Sequence, residues 1–385
     1  MPIRKKNKTK NQSFFDYTLL FVVIFLIAFG LIMIYSTSSY EATGQLGDST
    51  YYLRHQFIAT IAGTFVMFIT TMIDYHRWEK YAFIGMGVSV ILIFLVLTPM
   101  GVEVNGARRW IRVVGSLQFQ PAEIVKIAVI LFCASMITHF SKKKLATFKG
   151  ALIVIAAPAV MALFLWQITD NLSSGIIVGG IAVVMLFVAD SDYKKYIIAF
   201  LIVVALGAVV VYAATHMQSD SFRMGRIAIW LDPEKDPDGI GFQTLQALYA
   251  IGSGGIFGKG LGGSMQKLGF LPEAQNDMIF SIICEELGLF GALAVILLFV
   301  LLIWRCMVIA NNAPDLFGAL LVVGVMAHFA IQVILNIAVV TNTMPNTGIS
   351  LPFISYGGTS EMFLMAEIGL VLNVSRQIRL KDNVM

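Results

Sequence analysis

The stretch 271–288, LPEAQNDMIFSIICEELG, leads a polar segment back into an apolar run past Glu273, Asp277, Glu285 and Glu286. A carboxylate at the mouth of an apolar helix is partly desolvated, so its ionised form loses hydration and its pKa moves toward that of a working base. Asp277 is the candidate general base. The residues alone also allow a plainer role, in which Asn276 or Asp277 caps the following helix by accepting a backbone N–H bond.

A second group precedes it in VNGARRWIRVVGSLQFQPAEIVK. Arg108, Arg109 and Arg112 interleave with Trp110, Ile111, Val113 and Val114, which predicts a short element in the membrane interface whose guanidinium groups meet phosphate or snorkel to headgroups. Pro121 suits the first turn of a helix, and Glu123 and Lys126 fall at i and i+3 on one face of it. A charged pair so near hydrocarbon must be neutralised or face a cavity. Further along, Gln332, Asn336, Glu361 and Glu367 stand at membrane depth, where an acid is a functional candidate, or quiet when protonated and hydrogen-bonded between helices. His328 reads as a helix-packing hydrogen bonder.

Other motifs carry less. Gly258, Gly260 and Gly263 satisfy G-x-G-x-x-G, but no strand–helix unit surrounds them and no Ser or Thr follows Lys259, which excludes nucleotide binding and leaves close backbone approach as their use. DPEKDPDG has Glu234 at the first place of a calcium loop and Leu245 where a bidentate Glu belongs, so it reads as turn chemistry. Asp170 and Asn171 read as a helix start. Cys133, Cys284 and Cys306 offer neither a disulfide framework nor zinc spacing.

The elements that must position these residues are membrane helices. With 58% hydrophobic and 13% charged residues, the chain lies far from soluble composition. Apolar runs near 14–36, 56–73, 81–98, 123–140, 150–168, 172–189, 196–214, 278–304, 316–341 and 353–375 predict an all-α polytopic membrane protein of about ten transmembrane helices. More than half of the 27 Lys and Arg residues cluster at alternate span ends, which places both termini in the cytoplasm and makes the first run an uncleaved span. A basic cytoplasmic tail (1–13), a membrane domain (14–376) and a C-terminal tail (377–385) follow. One long extracytoplasmic loop, about 215–276, holds enough aromatic and aliphatic residues to fold back onto the bundle. The net charge of +4 reflects anchoring clusters and gives no reason to expect a nucleic-acid partner.

NGARRWI…SLQFQPAEIVK, WLDPEKDPDGIGFQTLQALYAIGSGGIFGKGLG, LPEAQNDMIFSIICEELG and LPFISYGGTS, in this order and spacing, resemble the SEDS family (shape, elongation, division and sporulation), nearer its FtsW and SpoVE members than RodA. The resemblance implies a ten-helix peptidoglycan glycosyltransferase of the bacterial cytoplasmic membrane that polymerises lipid II at the outer face during division or sporulation. Its implied partners are a class B penicillin-binding protein and other divisome membrane proteins. The family's essential acid falls on Asp277, its fourth-helix polar cluster on Glu123 and Lys126, and its basic pair on Arg108 and Arg109. Gln243, Lys267, Glu273 and Glu286 fall on further substrate-site motif positions. TDNLSS stands where many relatives have Pro-Asp-Leu-Gly-Thr, and Asn276 stands where they have Thr.

The implied reaction needs little machinery. A sugar 4-hydroxyl attacks C1 of a lipid-diphosphate donor with inversion, which asks for one base and for cations at the departing diphosphate. Arg108, Arg109 and Lys126 are the fixed cations, and a divalent ion (Mg or Mn) could share the work although no compact ligand set is visible. Two rival readings are a lipid II flippase, whose polar residues would be spread through the bilayer's depth, and a non-catalytic scaffold for a cell-wall synthase.

Overall fold

The structure, a computed structural model, describes residues 14–379 except 105, 115–116, 191, 193, 200, 203–204, 206–208, 210–211, 213–226, 228 and 240. Ten helices of 13 residues or more have described bounds: α1 (Tyr17–Leu46), α2 (Tyr51–Met72), α3 (Ala82–Leu95), α4 (Pro121–His139), α5 (Phe148–Gln167), α6 (Leu172–Ala189), α7 (Phe242–Gly254), α8 (Ile279–Asn311), α9 (Leu316–Val340) and α10 (Thr359–Gln377). Seven of these (α1, α2, α4, α5, α6, α8 and α9) are long and apolar enough to cross a membrane, and α3 is a shorter apolar helix. α10 is long enough but carries buried Glu361 and Glu367. The span expected over 196–214 lies largely outside the described residues. The architecture is that of an all-α multi-pass membrane protein.

Burial decides which helices form the middle. α4 is 78% buried across its apolar window and α9 72%, against 22% for α2 and 28% for α8, so α4 and α9 form the axis while α2 and α8 leave most of their apolar surface exposed. Hydrogen bonds tie the ends of the bundle. At one end Asp16 caps α1 through Leu19 N and receives Arg305 of α8 at 2.6 Å, while its own N–H reaches Ser375 of α10 at 2.9 Å. Phe14 N meets Ile378 O at 3.1 Å, so the two described chain ends lie together. Buried charges can stay at such an end because each is paired and hydrogen-bonded.

The opposite end, here the site end, departs from simple helices in two places. The expected interfacial element is a three-stranded antiparallel sheet, β1 (Gly101–Val104), β2 (Ala107–Val114) and β3 (Leu117–Phe119) in the order β1-β2-β3. Its β-branched and aromatic residues suit a pleated, half-buried surface. β3 runs into α4, where Pro121 takes the first turn as expected. Secondly, α8 is interrupted at Gly288 (φ 65°, ψ −164°), so the apolar run expected as one span is a short buried helix followed by the crossing helix.

That interruption explains the glycine-rich loop. Lys259 N and Gly260 N donate to Glu285 O and Glu286 O at 3.0 and 2.8 Å, and Leu289 N donates to Gly255 O at 3.0 Å. Carbonyls freed where the helix ladder breaks are thus taken up by the loop. A Cβ on Gly258 would lie 2.2 Å from Glu286 O, so the backbones meet at a distance only glycine allows. The described part of the long loop folds onto the bundle as expected, and part of it is α7.

Candidate active site

Asp277 ends the re-entry segment immediately before α8, and two elements hold it there. Asn336 of α9 donates Nδ2 to Asp277 O at 2.8 Å and to Ile349 O at 2.6 Å. Ser355 donates Oγ to Asn276 O at 2.6 Å, and Tyr356 N donates to Gln275 O at 2.9 Å. The 345–358 connection is therefore laced to the re-entry segment, and both hang on α9. Irregular backbone at such depth survives only where each polar group finds a partner of this kind.

The Asp277 side chain is 9% exposed, and its Oδ1 has no hydrogen-bond partner. Burial first, and then the charge of Glu273, push its carboxyl up to about 7. The N-cap of α8 is Met278, with no side-chain hydrogen bond, and the Asp277 carboxyl accepts from its own backbone N–H and that of Met278. Asn276 instead donates to Glu273, whose own backbone is left-handed at φ 56°. An ionisable group held by its backbone, with an unclaimed oxygen and a raised pKa, is equipped to accept a proton from a ligand hydroxyl.

Glu123 and Lys126 form the expected pair at 2.8 Å, with side chains 8% and 2% exposed. Lys126 Nζ also reaches Gln332 Oε1 at 3.5 Å, and Gln332 Nε2 donates to Ser350 O at 3.0 Å. Lys126 is thus joined through Gln332 and the 349–350 backbone to Asn336 and Asp277. Gln243, in the first turn of α7, donates to Pro272 O at 3.3 Å and accepts from Asn346 at 2.7 Å, bridging the same two loops.

The other expected residues are placed differently. Arg108 and Arg109 are neighbours on β2 at a register shift, where Glu103 pairs with Arg108 and Val102 with Trp110, so Arg109 is the extra residue of a bulge. Arg108 is exposed and 3.5 Å from Glu103, whereas Arg109 donates to the carbonyl of Asp170 at 2.8 Å, where Asp170 itself is left-handed at φ 52°. The expected basic pair is two separate contacts. Lys267 and Glu286 are brought together at 2.7 Å, 7% and 0% exposed, with Ser36 on both. Glu285 is likewise buried and accepts from Lys259 Nζ at 2.6 Å, from Ser264, and from Met265 N at 3.1 Å. Consecutive glutamates thus clamp the glycine-rich loop onto α8. Lys267 and Ser36 also line an open groove of about 650 Å³ with Tyr35, Tyr40, Leu261 and Leu268, a lining that does not include Asp277.

Glu361 accepts from Gln56 at 2.6 Å and from Thr60 at 3.0 Å, and Glu367 meets His328 at 2.7 Å. Sequence reasoning noted Gln332 and Asn336 without giving them a part. Their signal was available, since His328, Gln332 and Asn336 at i, i+4 and i+8 make one polar stripe on an apolar helix. Among the described residues, no three His, Cys, Asp or Glu side chains gather into a metal-ligand set.

A multi-pass helical bundle with a buried carboxylate at one end, one oxygen of it without a partner, and a buried Glu–Lys pair joined to it through a central helix defines a class of membrane proteins with a polar network inside the bundle. The chain belongs to the FtsW, RodA and SpoVE family of cell cycle proteins, whose model matches residues 17–380. It is 38% identical to stage V sporulation protein E of Bacillus subtilis over 94% of this chain and 98% of that one. It is also 38% identical to the probable peptidoglycan glycosyltransferase FtsW of Trichlorobacter lovleyi, over 95% of this chain and 94% of that one. Among solved structures it matches a peptidoglycan synthase complex described as coordinating polymerization and crosslinking, with TM-score 0.76, 28% identity, and coverage of 95% and 99%. Rod shape determining protein RodA of Thermus thermophilus matches with TM-score 0.66, 26% identity, and coverage of 95% and 98%.

Proposed function

We propose that this protein is a peptidoglycan glycosyltransferase that joins lipid II units into glycan strands by inverting single displacement. The reading rests on one observation: the buried Asp277 Oδ1 lacks a partner at a point fixed from α9 and linked to the Glu123–Lys126 pair. The relatives' names support the activity, and the carboxyl's raised pKa suits a base near neutral pH.

In the proposed step, Asp277 removes the proton from the acceptor's 4-hydroxyl as that oxygen bonds to C1 of the donor. The C1–O bond to undecaprenyl diphosphate breaks, and the diphosphate leaves with the electron pair. Lys126, and the exposed Arg108 of β2, meet the charge that develops there, while Arg109 braces the sheet against the 168–171 turn. Glu273 tunes Asp277, Gln243 holds the loops that wall the site, and the Lys267–Glu286 pair holds the glycine-rich loop. The membrane unit is 14–376 with both termini cytoplasmic, since the basic segments gather at the end that holds Asp16 and Arg305. The working assembly includes a class B penicillin-binding protein, which the structural likeness to a synthase complex supports.

The test is polymerisation of purified lipid II by the protein and its penicillin-binding partner, comparing wild type, Asp277→Asn and Asp277→Ala at matched folded protein. Loss of a general base predicts a fall of about 10²–10⁴-fold for both variants. Equal glycan output from all three would overturn the assignment. Lipid translocation without polymerisation would favour the flippase reading, and folded protein doing neither would favour a scaffold.

A further inference from the structure

Behind the site, α9 and α10 share a buried polar chain that the reaction does not itself call for. His328 is 0% exposed and Glu367 1%, with Nδ1 and Oε2 2.7 Å apart. The other ring nitrogen lies 2.8 Å from Gln332 Oε1, the same oxygen that faces Lys126 Nζ at 3.5 Å, and Gln332 Nε2 is committed to Ser350 O. An ionisable pair set this deep is costly, and apolar side chains of similar volume would pack there without that cost.

The donor and acceptor inventory fixes the protons. Gln332 must present its carbonyl to the Lys126 ammonium and its NH2 to Ser350 O, because the flipped amide would set NH2 against ammonium and carbonyl against carbonyl. His328 Nε2 must therefore carry a hydrogen and donate. Its Nδ1 then either donates to ionised Glu367 or accepts from protonated Glu367, and in both cases one proton lies between them and the pair is net neutral. The other neutral tautomer would bare a lone pair at Nε2 and draw the Gln332 NH2 toward it, turning that NH2 onto Lys126.

We propose that His328 and Glu367 are positioning residues for the glycosyl-transfer site: Glu367 fixes the His328 tautomer, His328 fixes the Gln332 amide, and that amide sets the Lys126 ammonium and the 349–350 backbone beside Asp277. Lys126 makes contact with Glu123 and Gln332, which leaves ammonium N–H capacity for a diphosphate oxygen. The inference rests on the reading above, in which Lys126 meets the leaving group.

Three variants separate the possibilities: Glu367→Gln, Glu367→Leu and the doubly apolar His328→Phe with Glu367→Leu, each measured for Tm in detergent and for kcat and KM on lipid II. A Gln at 367 can donate to Nδ1 and keep the tautomer, so Glu367→Gln holds kcat within about threefold of wild type. Glu367→Leu and the double variant lose about tenfold in kcat with little change in KM, because the misplaced cation is needed most as leaving-group charge develops. The double variant removes both members of the buried pair, so no charge is stranded and its Tm stays near that of wild type. Wild-type kcat in all three overturns the proposal. Glu367→Gln falling as far as Glu367→Leu overturns it in favour of proton transfer through the pair, and kcat tracking Tm across the set overturns it in favour of packing. Asp277→Asn runs alongside: an active Asp277→Asn defeats the glycosyl-transfer reading of Asp277 whatever the others do, whereas a dead Asp277→Asn with a fully active double variant defeats only the positioning role.

Discussion

Asn336 donates a 2.8 Å hydrogen bond to the backbone carbonyl of Asp277, and the same Nδ2 reaches Ile349 O at 2.6 Å. One buried amide on α9 therefore sets the distance between the re-entry segment and the connection that faces it. Asn336→Ala strips two buried carbonyls of their donor, at about 1–3 kcal/mol each. The variant is expected to unfold earlier and to lose about 10²-fold in turnover through misplacement of Asp277. Unchanged Tm and turnover would show that the pin is dispensable.

Asp277 must be ionised to take a proton, and burial with the nearby charge of Glu273 holds its carboxyl at about 7. Polymerisation therefore rises with pH through a midpoint near 7, and Glu273→Gln moves that midpoint downward. Stability runs the other way. A carboxyl raised on folding costs stability fully above pH 7, and the cost disappears as pH falls toward about 4, its unfolded pKa. Asp277→Asn is thus expected to exceed wild type in Tm at pH 8 by a margin that narrows at pH 5. Thermal unfolding at the two pH values checks the sign.

Gly288 sits at φ 65°, and a Cβ there would lie 2.4 Å from Gly258 N and 2.5 Å from Ile256 O. Both contacts are with backbone, so Gly288→Ala cannot be relieved by a rotamer change. The expected loss is about 2 kcal/mol or more, from left-handed strain plus the clash. Limited proteolysis of residues 255–268 should report it as a loosened loop, and a wild-type cleavage pattern would contradict it.

The Lys267–Glu286 pair offers a double-mutant test. Lys267→Met alone strands a carboxylate that is 0% exposed, a change that typically costs about 3–5 kcal/mol. Adding Glu286→Leu removes the stranded charge and restores most of the Tm. If the pair only holds the loop, polymerisation returns with it; a double variant that folds but stays inactive would assign Lys267 or Glu286 a direct part with substrate.

At the opposite end, His76 lies 2.7 Å from Asp74 and 3.1 Å from Asp315, with Tyr75 stacked on its ring and donating to Asp315. Burial alone would lower the His76 pKa, but the Asp74 hydrogen bond and the Asp315 charge outweigh it and raise the value above 6.5. The stabilisation is complete below about 6.5 and is lost as pH rises through the folded pKa. Amide exchange in Asp74–Lys80 is therefore expected to be slower at pH 6 than its intrinsic pH dependence gives, and His76→Gln to erase the difference.

The sequence determined the solvent and most of the helices, and it singled out Asp277 as the candidate acid. Apolar runs of membrane length leave the backbone no choice but helix in hydrocarbon, and the carboxylate at the end of a polar excursion stood out because the surrounding residues are so poor in charge. Local chemistry was legible where the controlling contact is local: Asn171 does cap α6, Pro121 does open α4, and Glu123 does pair with Lys126 across one turn. The sheet at 101–119 was missed because a basic, β-branched stretch between two spans looks the same whether it lies flat in the interface or pairs with itself. The break at Gly288 was missed because its cause lies some thirty residues away in the glycine-rich loop, where Gly258 packs against the Glu286 carbonyl and Lys259 N and Gly260 N take up the freed carbonyls. Folding alone decided that Arg108 and Arg109 take separate partners, that Lys267 is committed to Glu286, and that Asn336 and Gln332 carry Asp277 and Lys126. Each of these is a contact between segments far apart in the chain, and periodicity along one segment holds no record of what packs against it.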